Sequence, residues 1–178
     1  MLKMKKIITN PKITSVIGLI GGIMLIVSKY MYDSMEQGFF NYKWILENIF
    51  RLGIVCYFII ICTRLFFKRG NVKIANIVLI SSLIIFDIIY LVYQNIIGFV
   101  VFFIITLYFI NILFHKNTHI NNIIFLIDLL FYVGFNCYSV SQNPIFAGQL
   151  NSIIFQYVSY LLIIPYFFGY YTLLKEEK

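Results

Sequence analysis

The sequence predicts an all-α fold, a single integral membrane domain over residues 1–178 that forms a polytopic bundle of six transmembrane helices. The chain is 61% hydrophobic and 12% charged, whereas a soluble domain has about 45–50% apolar and about 25% charged residues. The apolar residues form long runs, and the basic residues collect in alternate connections between them. Because 14 basic and 7 acidic residues cannot cover a soluble domain of this size, we expect lipid to be the solvent.

The apolar runs define the predicted helices. Each run is long enough to cross about 30 Å of hydrocarbon at a rise of about 1.5 Å per residue. Backbone polar groups in lipid must bond within their own segment, and these runs are too long and too uniformly apolar for barrel strands. The predicted helices cover residues 13–32, 49–67, 74–93, 97–114, 123–140 and 153–173. Because only Gln94, Asn95 and their neighbours separate the third helix from the fourth, we expect a tight hairpin there.

The distribution of positive charge orients the helices. Of the 14 basic residues, 11 lie on one set of alternate sides. These are Lys3, Lys5, Lys6, Lys12, Arg64, Lys68, Arg69, Lys73, Lys116, Lys175 and Lys178. Lys29, Lys43 and Arg51 lie on the other side. Cytoplasmic connections of membrane proteins carry the excess of lysine and arginine, so we expect a multi-pass protein of the cell membrane with both termini in the cytoplasm.

The longest connection, residues 33–48, combines aromatic and charged residues. Trp44 is the kind of residue that settles at a membrane interface. Lys43, Glu47 and Arg51 recur every four residues and form one charged stripe at the start of the second helix. We interpret this stripe and Trp44 as an interfacial anchor whose charges reach towards the headgroups. The alternative is a lid or a partner-docking surface.

Two aspartates interrupt the apolar runs. A carboxylate in hydrocarbon costs on the order of 2.5–3.5 kcal/mol on insertion scales, so each should face the bundle interior, pair with a donor or be protonated. Helical spacing gives each aspartate polar neighbours on its own face. The resulting candidate polar pathway or pocket consists of Asp87, Tyr90 and Gln94 in the third helix and Asp128, Tyr132, Asn136 and Ser139 in the fifth. The alternative is that both aspartates hold helices together through hydrogen bonds to tyrosine or serine.

The same two aspartates do not form a plausible protease site. Such a site needs two carboxylates close enough to share a proton, but the helical rise separates Asp87 and Asp128 by ~10 Å in depth. His115 and His119 lie four residues apart in a connection without further ligands nearby, which favours a solvated loop over a metal site. The sequence also has no nucleotide-binding loop, so we expect neither a cofactor nor a catalytic site.

Gly18 and Gly22 form a small-xxx-small pair in the first helix. Small residues allow two membrane helices to approach closely. We therefore expect these glycines to be helix-packing positions, used within the fold or, alternatively, against another protein.

The sequence favours a non-enzymatic role that depends on binding. In outline the chain resembles bacteriocin immunity proteins and small subunits of export systems, which implies a membrane protein or ATPase subunit as partner besides the lipid bilayer, and no nucleic acid. A high content of isoleucine and asparagine suggests a bacterial source. The alternatives are a small-solute or ion/proton transporter, or the membrane substrate-binding subunit of a transporter, which it resembles in size and topology. A membrane enzyme of lipid or peptide metabolism is a further alternative.

Overall fold

A computed structural model describes the larger part of the chain. It covers residues 10–33, 42–94, 96–113, 120, 123–124, 126–128, 130–131, 134, 138 and 154–166. Side chains of residues 31–33, 42–47 and 112–113 are outside the description. The regular structure of the described residues is helix, without strands, which confirms the predicted all-α class.

Helix α1 comprises Pro11–Asp33. Asn10 precedes it, and its side-chain Oδ1 accepts a hydrogen bond from the Lys12 backbone N–H at 3.1 Å. Pro11 suits the first helical position because its missing N–H would have had no partner there. The helix therefore begins two residues before the apolar run at Ile13, at a capped N-terminus that hydropathy does not reveal.

Helix α2 comprises Tyr42–Phe67 and begins before the predicted residue 49. Residues 42–47, which include Lys43 and Glu47, continue the helix ahead of Asn48. Charged residues four positions apart support a helix as well as apolar ones do, so the helix extends beyond its apolar part.

A short, closed turn joins α2 to helix α3, Val72–Val92. Lys68 adopts φ 55° and Gly70 φ 110°. The Lys68 N–H donates to Arg64 O at 3.1 Å, and the Arg69 N–H to Thr63 O at 3.4 Å. These bonds use the last carbonyls of α2, as in the glycine-containing caps that commonly end helices.

A second tight turn joins α3 to helix α4, Ile96–Leu113. The Tyr93 N–H donates to Ile89 O at 3.0 Å, and Gln94 leaves the helix with φ 56°. The expected hairpin is present, since α3 and α4 pack directly against each other.

Consecutive helices pack as antiparallel neighbours, α1 on α2, α2 on α3 and α3 on α4. Between α2 and α3, a Cβ placed on Gly53 would overlap the Ser82 side chain, so these backbones lie very close. The helix Ile154–Tyr166 packs on α2 from another side, where the Tyr57 and Tyr166 rings meet at 5.9 Å between centroids. Close packing of this kind, rather than burial from water, holds membrane helices together.

Three helical segments are long and apolar enough to cross a membrane: Pro11–Tyr30, Asn48–Phe67 and Val72–Val92. Large apolar side chains remain exposed on them, for example Ile20 at 49% and Ile88 at 57%. In a membrane these side chains meet lipid, which the predicted membrane class requires. Shorter apolar helices follow at Ile96–Asn111 and Ile154–Tyr166.

Candidate functional site

Asp87 lies inside the bundle, on the side of α3 that faces α4. Its side chain is 5% exposed, and its Oδ2 accepts a hydrogen bond of 2.8 Å from the Thr106 hydroxyl of α4. Helical side chains lean towards the N-terminus of their own helix. Because α3 and α4 run antiparallel, the two side chains lean towards each other and meet between the helices.

The Thr106 hydroxyl has one hydrogen and two acceptors within reach. Its oxygen is 2.9 Å from the Phe102 carbonyl oxygen as well as 2.8 Å from Asp87 Oδ2. A hydroxyl donates only once, so the two bonds are alternatives. The other carboxylate oxygen, Asp87 Oδ1, is buried and has no hydrogen-bond partner among the described residues. The site therefore satisfies one side of the carboxylate and leaves the other open to a further donor.

Aromatic rings surround this hydrogen bond. Phe102 lies 4.7 Å from Phe86 and 5.3 Å from Tyr90 between ring centroids, and the Tyr90 pair is stacked. Phe50 of α2 completes the cluster at 5.0 Å from both Phe86 and Phe102. The carboxylate consequently lies beside a dense aromatic layer to which three helices contribute.

The predicted polar face of the third helix is not continuous. The Tyr90 ring lies on Gly98 of α4, so closely that a Cβ at Gly98 would overlap it. Gln94 lies in the turn after α3, where its left-handed conformation takes it off the helical face shared by Asp87 and Tyr90. Asp87 presents its carboxylate to α4, where Thr106 donates to it.

Asp128 is also buried, at 7% exposed, and its Oδ2 has no hydrogen-bond partner among the described residues. Tyr132, Asn136 and Ser139, its predicted neighbours on the fifth helix, lie outside the described residues. The structure therefore brings Asp87 together with Thr106, and leaves the proposed face around Asp128 as a prediction.

The start of α2 adds buried polar residues. Asn48 is 0% exposed and Arg51 is 8% exposed. The Arg51 guanidinium carbon lies 5.4 Å from the centre of the Phe50 ring, which itself contacts Phe86 beside Asp87. Arg51 thus packs inward on an aromatic ring instead of extending freely outward with the interfacial stripe. Lys43, Trp44 and Glu47 belong to the first turns of α2, and their side chains are not described.

The two packing glycines of α1 face α2. A Cβ at Gly18 would overlap the Phe58 ring, and one at Gly22 would lie 3.2 Å from the side chains of Ile54 and Val55. Gly21 faces the helix Ile154–Tyr166, where a Cβ would lie 2.7 Å from the Ser159 carbonyl oxygen. The close approach at these positions is therefore made within the fold.

Sequence reasoning did not single out Thr106. A threonine in an apolar run carries no signal of its own. Its role, the hydrogen bond to Asp87, follows only from the packing of α4 on α3. The signal was present in the short connection around Gln94, since a hairpin that tight brings the middle of the fourth helix opposite Asp87. Within the described part of the chain, no cluster of histidine, cysteine, aspartate or glutamate is suited to hold a metal ion. His115 and His119 lie outside it.

No protein-family model, curated protein or solved structure matches this chain.

Proposed function

We propose that the chain is a non-enzymatic membrane protein that acts by binding another membrane component, as an accessory subunit of an export system or as a self-immunity protein of the bacteriocin type. One observation carries this proposal. The most conspicuous polar group in the described helices, the Asp87 carboxylate, is used within the bundle by Thr106. The neighbouring Tyr90 ring packs on Gly98 of the same helix, α4.

The proposal includes six membrane crossings in a bacterial cell membrane, with both termini in the cytoplasm. It rests on the alternating charge of the connections, because positive charge is retained on the cytoplasmic side.

The exposed apolar stripe of α1 supports a role in association. Its members recur at helical spacing, and such a face suits either lipid or the helix of a partner. They are Val16, Ile20, Ile23, Val27 and Tyr30.

Purification from the native host in mild detergent, followed by mass spectrometry, tests the proposal. We expect an ATPase or a second membrane subunit to accompany the chain in fixed ratio, or deletion of the gene to sensitise cells to a co-encoded toxin. A chain that purifies alone as a defined oligomer, from cells whose toxin resistance does not depend on it, would contradict both forms of the proposal.

A specific observation favours ion or proton transport as a second candidate. Asp87 and Asp128 are both buried, and each has one carboxylate oxygen without a described hydrogen-bond partner. Buried ionisable groups in membrane spans commonly mark ion or proton pathways. In this case both aspartates would belong to a path through the bundle, and the chain would need no partner.

The Asp87→Asn variant separates the two candidates. Asparagine keeps an oxygen that accepts from Thr106 but cannot ionise. For an accessory or immunity protein we expect the variant to accumulate and to retain its partner or toxin protection at the level of the original chain. For a pathway we expect normal accumulation but loss of flux in vesicles that contain the purified protein and a pH-sensitive dye. Flux above that of empty vesicles, abolished by Asp87→Asn, would overturn the accessory proposal.

A further inference from the structure

Five basic residues meet at one end of the described bundle, which we call the basic end: Lys12, Arg64, Lys68, Arg69 and Lys73. All five are exposed. The three candidate membrane spans also end here, at Pro11, Phe67 and Val72. Residues 10–16 and 60–76, which form this end, contain no acidic residue. In these described segments the basic end therefore carries only positively charged side chains, at the level where three helices leave the hydrocarbon.

Packing and hydrogen bonds hold these cations near one another. Lys12 Nζ at the start of α1 lies 5.8 Å from the centre of the Phe66 ring, so Lys12 is held close to the end of α2. The closed turn with Lys68 and Gly70 in left-handed conformations then keeps Lys73 of α3 close to the end of α2. Two separate segments of the chain thus build one surface.

Two helix N-termini reinforce the positive charge. Asn10 caps α1 at Lys12, and Asn71 caps α3, where its side-chain oxygen accepts from the Lys73 N–H at 2.8 Å. The unsatisfied N–H groups of a helix N-terminus carry a partial positive charge and favour anions. Because both N-termini lie among the lysines, the partial positive charge of the two helix dipoles adds to the side-chain charges of the basic end.

The adjacent aromatic residues fix the depth of this surface. Phe66 is 50% exposed and Phe67 is 71% exposed. They are the last residues of a membrane span, so the cations beyond them lie at the level of the lipid headgroups. An anion at this depth is a phosphate of the surrounding bilayer, which needs no soluble partner to deliver it.

We propose that the basic end is a binding site for the phosphate-bearing headgroups of anionic phospholipids. Orientation by positive charge requires only that basic residues remain on one side. It does not require the Lys12 side chain to pack on Phe66, nor the capped N-termini of α1 and α3 to lie among the basic residues. Clustered cations next to membrane spans attract anionic lipids, and the closed turn between α2 and α3 fixes their spacing.

The test uses the purified full chain in mild detergent with an equimolar mixture of phosphatidylglycerol and phosphatidylcholine of identical acyl chains. Native mass spectrometry measures the ratio of the two lipids that remain bound. We expect enrichment of phosphatidylglycerol that falls about fivefold for each charge removed in Lys68→Gln and in the Lys68→Gln, Arg69→Gln pair. Lys29→Gln, which removes one charge near the opposite end of α1, is the matched control and should leave the ratio unchanged.

Equal retention of the two lipids by the original chain would overturn the proposal, as would an equal loss of enrichment in Lys29→Gln. So would an unchanged lipid ratio in the paired variant, even if its orientation in the membrane reverses, because the charges would then serve topology alone. If the paired variant does not accumulate, salt titration of the original chain decides. The Debye length falls from about 10 Å at 0.1 M to about 3 Å at 1 M salt, so the enrichment must decline over this range.

Discussion

The Asp87 side chain shows how a bundle in lipid accommodates one acidic residue. Water is not available to a carboxylate at this depth, so its hydrogen bonds must come from neighbouring helices. A single threonine hydroxyl on α4 supplies one of them at 2.8 Å. The pair therefore links α3 to α4 at a position where apolar contact alone would leave both oxygens without a donor.

Removal of the Thr106 hydroxyl should weaken this link. In Thr106→Val the carboxylate loses its described donor while the shape of the side chain is nearly retained. We expect the free energy of unfolding to fall by about 1 kcal/mol, since hydrogen bonds between membrane helices contribute modestly. Thermal unfolding in detergent measures the change. Thr106→Ser keeps the hydroxyl and is the control. Equal unfolding temperatures for the two variants would show that the hydrogen bond does not stabilise the fold.

The candidate site was predictable from the sequence only in part. The cost of a carboxylate in lipid identified Asp87 and Asp128 without a structure, and both are buried. The partner of Asp87 could not be deduced from its own helix, because the hydrogen bond crosses to α4. Helical spacing put Tyr90 on the face of Asp87, but it did not reveal that the Tyr90 ring packs on Gly98.

At the scale of elements, glycines determine how closely the helices approach. Gly18 and Gly22 lie against α2, Gly53 against α3 and Gly98 against α3. Each helix-to-helix contact in the series from α1 to α4 therefore has a glycine at a close point. The spacing of Gly18 and Gly22 predicted close helix packing at this pair in α1. An isolated glycine such as Gly53 has no such spacing, so its packing role is visible only in the structure.

A methyl group at Gly18 should disturb the contact between α1 and α2. The Phe58 ring that it would overlap is 0% exposed and also packs against the Tyr57 and Tyr166 rings. We expect Gly18→Ala to cost about 1–3 kcal/mol through overpacking. Gly134→Ala is the matched control, because no described residue lies within 4 Å of a Cβ there and alanine improves helix propensity equally at both positions. Unfolding temperatures in detergent should be lower for Gly18→Ala. A higher unfolding temperature for Gly18→Ala than for Gly134→Ala would show that the close contact of Gly18 with Phe58 does not stabilise the fold.

Helix boundaries show where the sequence was less informative. Hydropathy located the end of α2 at Phe67 correctly, because charged residues follow at once. It placed the start of the same helix too late, at residue 49 instead of Tyr42. The charged residues Lys43 and Glu47 in these added turns are compatible with a helix but not with hydrocarbon, and hydropathy detects only the second property. At this end, therefore, the helix begins at Tyr42 but the candidate membrane span begins only at Asn48.

At the scale of the whole molecule, the turns at Arg69 and Gln94 should lie on opposite sides of the membrane. α3 runs from one to the other and is long enough to cross. In chains whose native Cys56, Cys62 and Cys137 are replaced by alanine, we expect Gln94→Cys to react with a membrane-impermeant maleimide in intact cells. Arg69→Cys should react only after the cells are opened. Labelling of both positions in intact cells would contradict a membrane-spanning α3 and the proposed orientation.

The hairpin of α3 and α4 has a consequence for the way the protein is made. A ribosome completes α3 before it reaches Thr106. At first, therefore, no hydroxyl of α4 is present to donate a hydrogen bond to Asp87. The connection at Gln94 is also short, so α4 must follow α3 closely into the bilayer. We expect the two helices to leave the insertion machinery together, as one paired unit. A chain that ends at residue 94 is still anchored by α1 and α2, so we expect its α3 to remain open to protease on the cytoplasmic side, whereas α3 of a chain extended through α4 should be protected.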